Sequence, residues 1–204
     1  TIRRSRPPTA AAELRALAIR WGSNMSLIPS LQNPNDLLLK LCRESINVYT
    51  SKKDQEVLDR FFNFCITAHS LRDWVIKSGD LDENAVHNYC NKFDSLRMCR
   101  DIANANKHFG LHPEKISSVS AIDKKELSYH PMAPGEIDPK TIIKKPSLEV
   151  LDQNGNKINL KSFMDNSIEA WVNVFDHFSI TREQKLFYTR SLEVAVGDFI
   201  LTLI

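Results

Sequence analysis

The chain has 204 residues, 42% hydrophobic and 25% charged, enough to bury one sizeable core and too apolar for a fully disordered polymer. Its apolar runs, such as Leu37-Leu38-Leu39 and Phe199-Ile200-Leu201, fall far short of the roughly 20 residues of a membrane-spanning helix, so a water-soluble chain without membrane contact is expected. Of 27 basic and 25 acidic residues, five Arg and one Glu lie within residues 1–24 and leave 22 and 24 in the remainder; a near-neutral body gives no argument for a general nucleic-acid coat and leaves room for a local basic patch.

Residues 1–24 hold Arg3, Arg4, Arg6, Arg15 and Arg20, and Gly22-Ser23-Asn24 stands before Met25 like a cloning junction before an initiator methionine. The segment reads either as vector-derived or an unprocessed leader, or as a native arginine-rich arm. It has no secretory pattern, because Glu13, Arg15 and Arg20 interrupt its apolar stretch. Cys42, Cys65, Cys90 and Cys99 contain no Cys-x-x-Cys pair. They read as buried free thiols of a cytoplasmic protein, although their even number leaves pairing open.

From Pro34-Asn35-Asp36 the apolar spacing of Leu37, Leu38, Leu41, Cys42 and Ile46 predicts a helix over about 36–49. Residues 55–77 lack Gly and Pro and carry Leu58, Phe61, Phe62, Cys65, Leu71, Val75 and Ile76 mainly on one face, which predicts a second, longer helix. A short helix over 82–91 and a longer one over 95–109, stopped by Gly110 and Pro113, complete an antiparallel bundle of four. Residues 113–146, with Pro131, Pro134, Pro139 and Pro146, read as a surface connection with a strand near 116–122. Residues 147–160 alternate on both sides of Asn154-Gly155, a β-hairpin signal that places Val150 and Ile158 on one face. Asp165 or Asn166 is then expected to cap a helix through Ala170, Trp171, Val174 and Phe178, and Thr181-Arg182-Glu183-Gln184 to open a last helix towards Ile204. The expected fold is mainly α: a bundle over 25–112, the connection over 113–146, and a hairpin with C-terminal helices over 147–204.

On a wheel of the fourth helix, Arg97, Arg100, Asp101, Asn104, Lys107 and His108 share an arc of about 120°. Leu96, Met98, Ile102, Ala103 and Phe109 lie opposite, with Asn106 among them. The second helix carries His69 and Arg72 inside its apolar arc and Asp73 at its edge. Buried charges are rarely unpaired, so a network is expected in which His69 meets Asp73 and Arg72 reaches Asp101 or Asn106. The bland reading of both features is a solvated helix face and a register-fixing network. His108-x-x-x-His112 has a metal-like spacing, but Gly110 and Pro113 break the helix that would align it, and no metal or cofactor is expected. Gly-rich phosphate loops, Gly-x-Ser-x-Gly and His-Glu-x-x-His are all missing from the sequence.

The string Cys99-Arg100-Asp101-Ile102-Ala103-Asn104-Ala105-Asn106-Lys107-His108-Phe109 resembles the signature of HEPN-type helical domains of prokaryotic toxins, defence systems and RNA-processing factors. The resemblance spans about residues 36–112. In that family an Arg followed by a polar residue precedes a His by about four to six intervening residues, and the two serve metal-independent RNA cleavage, commonly in a homodimer. Here seven residues intervene, which spreads Arg100 and His108 over about 12 Å of straight helix. The resemblance implies Arg100, Asp101, Asn104 and His108 as catalytic residues: Arg100 on the phosphate, His108 as proton carrier, and Asp101 or Asn104 orienting the imidazole. The expected partner is single-stranded RNA. The alternative is a catalytically inert helical module that docks on a protein of a defence or toxin–antitoxin assembly.

Overall fold

The computed structural model describes residues 27–79, 81–107, 117–129, 132–133, 136–137, 140–184, 186, 193–196 and 199–202. Helix α1 (Pro34–Thr50) opens on a reciprocal cap: the Asp36 amide donates to Asn33 Oδ1 at 3.0 Å and the Asn33 amide to Asp36 Oδ2 at 3.3 Å. Helix α2 (Asp54–Ser78) has 25 residues and buries Val57, Phe61, Phe64, Cys65, Ala68, Leu71 and Val75 along one stripe. Lys40 near the start of α1 donates to Thr67 at 2.7 Å, while Arg60 donates to the Asn47 carbonyl near the end of α1 at 2.9 Å. The two helices are therefore antiparallel. Asp82 caps the short α3 (Glu83–Cys90) by accepting from the Ala85 amide at 2.6 Å. Helix α4 (Asp94–Lys107) follows after a three-residue corner.

The stretch read as a connection with a strand near 116–122 carries a longer strand that starts within that range. Strand β1 (Val119–Tyr129) runs eleven residues, and short strands β2 (Met132–Ala133) and β3 (Glu136–Ile137) pair with each other before β4 (Ile143–Asp152). With β5 (Lys157–Asn159) the main sheet has the antiparallel order β1-β4-β5. Pro146 is tolerated inside β4 because β5 pairs only with residues 149–151, leaving the second edge of β4 open at that proline.

Val150 pairs directly with Ile158, so the expected hairpin register holds. Asp152 shapes its tip by accepting from the amides of Asn154 and Asn156, each at 2.8 Å, and Gly155 alone of the loop takes a positive φ, 80°. A Cβ there would meet nothing within 4 Å, so Gly155→Ala should cost only the backbone strain, about 1–2 kcal/mol, read as a lower urea midpoint with unchanged slope.

Helix α5 (Leu160–His177) begins five residues before the expected cap, because Asn159 closes β5 and caps α5 at once, accepting from the Ser162 amide at 2.8 Å. The last expected helix is contradicted. Residues 181–184 form none: Arg182 turns back to grip the Asp176 carboxylate with Nε at 3.1 Å and Nη2 at 2.9 Å, and the Glu183 amide donates to Asn35 Oδ1 at 2.8 Å. Beyond them lie two antiparallel strands, β6 (Glu193–Val196) and β7 (Phe199–Thr202). Val194, Val196, Phe199 and Ile200 carry the β-branched and aromatic content that a capping-box reading overlooks.

One core joins bundle, sheet and α5. Leu38 and Leu41 of α1, Phe61 and Phe64 of α2, Leu148 and Val150 of β4, and Phe163, Trp171 and Phe175 of α5 belong to a single buried cluster. All four cysteines are free and buried; burial pushes the Cys42 thiol up to about 12. No described helix is long and apolar enough to cross a membrane.

Candidate functional site

Helix α4 presents the polar face that the wheel defines, but it is partly enclosed. Asp101 lies within that arc yet is 6% exposed, because the chain returning into β1 covers it. Asp101 Oδ2 accepts from the Ser118 amide at 2.8 Å and from Ser118 Oγ at 2.6 Å. Oδ1 accepts from Arg100 Nε at 2.8 Å. Arg100 also reaches across the corner, donating from Nη1 to Asn91 Oδ1 at 3.2 Å, and its side chain remains 29% exposed. Arg97 donates to the Asn91 carbonyl at 3.0 Å and pairs with Asp94. Asn91, the C-terminal cap of α3, is thus the anchor on which both arginines converge. Asn104 stands one turn beyond Arg100 and is half-buried.

Burial pushes the Asp101 carboxyl up, but the hydrogen bonds from Arg100 and Ser118 outweigh it and hold its pKa below the usual carboxylate range. A depressed folded-state pKa contributes stability above the unfolded value of about 4, and this is lost as pH falls through the folded value. Asp101→Asn should therefore flatten the acid limb of the stability curve, measured by urea denaturation between about pH 6 and pH 2.

The supporting network forms differently from the expectation. Arg72 is buried at 5% exposure, as its place in the apolar arc requires, but it turns towards α3 and away from Asp101. Its Nη1 lies 3.2 Å from His87 Nδ1. A guanidinium only donates, so Nδ1 accepts and the ring proton sits on Nε2, which faces Glu83 Oε1 at 3.3 Å. Cys90 borders the same guanidinium, and burial raises its thiol pKa against the pull of Arg72. His69 is half-buried, while Asp73 is exposed and stays outside the network. His108 and His112 lie outside the described residues, as does the side chain of Asn106.

Two contributors, Asn91 and Ser118, escaped the sequence reading, and His87, which with Cys90 has the spacing of a two-ligand pair and otherwise reads as a surface His, was not matched to Arg72. Asn91 carried the only usable signal, a cap-type residue at the end of a short helix. Ser118 stood in a segment without periodicity, and nothing local pairs His87 with a residue fifteen positions away. Among the described residues no group of His, Cys, Asp or Glu has the arrangement of a metal site. Comparison with protein-family models, with curated proteins and with solved structures finds no match to this chain.

Proposed function

We propose that the chain is a cytoplasmic, HEPN-like RNA-binding protein whose α4 face carries metal-independent endoribonuclease activity. The observation that supports this best is the Asp101 clamp. A buried carboxylate with both oxygens engaged is poorly placed for proton transfer and well placed to fix a guanidinium. In this reading Asp101 is a positioning residue, and the exposed part of Arg100 binds the phosphate. On the sequence wheel, Lys107 and His108 share the arc of Arg100. His108 exchanges a proton with the ribose 2′-hydroxyl or the leaving oxygen, so the substrate is RNA. One subunit offers few cations; a homodimer through α2 and α4 doubles Arg97, Arg100 and Lys107 around one cleft.

A second reading has its own observation. Arg97 and Arg100 both hold Asn91, and a face so occupied with its own structure also suits an inert docking module of a defence or toxin–antitoxin assembly. Hydrogen exchange with and without a single-stranded RNA separates the two. RNA is expected to slow exchange over residues 94–107, and sedimentation at micromolar concentration is expected to give a dimer. A monomer whose α4 is unaffected by RNA would favour the docking module.

A further inference from the structure

Among the described residues no carboxylate pairs with the buried guanidinium of Arg72. Its Nη1 meets His87 Nδ1 at 3.2 Å, Cys90 borders it, and its Nε is enclosed without a hydrogen-bond acceptor. Buried charges are ordinarily paired, so the acceptor that His87 offers is one Arg72 loses at a cost. The contact also matters to α3, because only Val86 and Cys90 of its eight residues are buried.

His87 is the movable half of this contact. Arg72 is set in the apolar stripe of α2, whereas the His87 side chain is 34% exposed. With the ring neutral, Nδ1 accepts from Arg72 and Nε2 carries the proton towards Glu83. A second proton enters at Nδ1, removing the lone pair that Arg72 uses and setting two cationic donors against each other across 3.2 Å. Imidazoles take up this proton between about pH 8 and about pH 5. The charged and titratable groups around the ring are Arg72 from α2 and, from α3 itself, Glu83 one turn back and the Cys90 thiol beside the guanidinium. Helix α5 meets α3 through His177, stacked on Tyr89 with ring centres 3.9 Å apart, and two residues along a helix place Tyr89 on the opposite side from His87. Arg72 repels an imidazolium and Glu83 attracts it, so the protonated ring leaves the core contact for Glu83 and solvent.

A short chain of hydrogen bonds couples His87 to the α4 arginines. The Asn91 amide donates to the His87 carbonyl at 3.0 Å. The Asn91 carbonyl accepts from Arg97 at 3.0 Å, and Asn91 Oδ1 accepts from Arg100 at 3.2 Å. Movement of α3 at His87 therefore reaches the residue that anchors both arginines.

We infer that His87 is a proton-operated joint: neutral, it ties α3 to Arg72 of α2; protonated, it lets go and shifts the Asn91 anchor, so that the placement of Arg97 and Arg100 follows pH. The joint acts on these arginines whatever they bind, and it stands independently of the RNA reading. Its test is two-dimensional NMR of the isotope-labelled full chain between about pH 8 and about pH 5. The His87 ring is expected to show the Nε2–H tautomer at the upper end, and the backbone amide signals of Asn91, Arg97 and Arg100 to shift with the same midpoint as the ring. That comparison needs no variant. His87→Asn places an acceptor oxygen close to the position of Nδ1 and has no proton to gain, so it is expected to remove the shared titration. An Nδ1–H tautomer at the upper end would overturn the joint. So would corner amides that stay still or follow another midpoint, or a titration that survives in His87→Asn.

Discussion

Phe163→Ala should lower the unfolding free energy by about 3–5 kcal/mol, the range for a large aromatic ring removed from a close-packed site. Phe163 is 1% exposed and meets Phe61 edge-on, with ring centres 5.5 Å apart. The contact ties α5 to α2 across the centre of the core. Because bundle, sheet and α5 share that core, the loss should appear as a single cooperative shift of the urea midpoint. Two separate transitions, with the α-helical signal of the bundle unaffected, would show that the C-terminal part folds on its own.

His108→Ala should abolish RNA cleavage while leaving most of the binding, since the proton carrier is lost and little phosphate affinity goes with it. Cleavage by the unaltered chain should persist in EDTA, because the proposed chemistry needs only an imidazole and a guanidinium. Arg100→Ala should weaken binding and cleavage together. The variants should be compared at matched helicity, because removing Arg100 also leaves the buried Asp101 with Ser118 as its remaining donor. Cleavage lost in EDTA and restored by a divalent ion would contradict this assignment of roles.

The helical part of the fold was legible because its signals are local. Residues 55–77 have helical periodicity without a breaker, and the structure extends that helix by one residue at each end. The hairpin was legible for the same reason, since Gly155 marks the turn and the alternation on either side fixes the register. Strand β1 was hidden by its middle, Asp123-Lys124-Lys125-Glu126, which is exposed and charged and shows no apolar alternation. Charges on an exposed edge strand guard against unwanted pairing, and the same charges remove the pattern by which a strand is recognised. Residues 181–184 misled because their capping-box pattern was satisfied by tertiary partners, Asp176 and Asn35. At the site, the wheel placed Arg100, Asp101 and Asn104 on one face, and burial of Arg72 followed from its arc. What closed over Asp101 and what met Arg72 were set by chain returns at Ser118 and His87, beyond the reach of helix periodicity.

The most direct test of the account is whether the α4 face binds RNA through Arg100. Anisotropy of a labelled single-stranded RNA, titrated with the protein at about 50 mM and about 200 mM salt, reads this in one experiment. The account predicts binding at the lower salt, weakened about tenfold or more at the higher as phosphate contacts are screened, and further weakened by Arg100→Ala. No binding at the lower salt, or binding indifferent to both salt and Arg100→Ala, would contradict it.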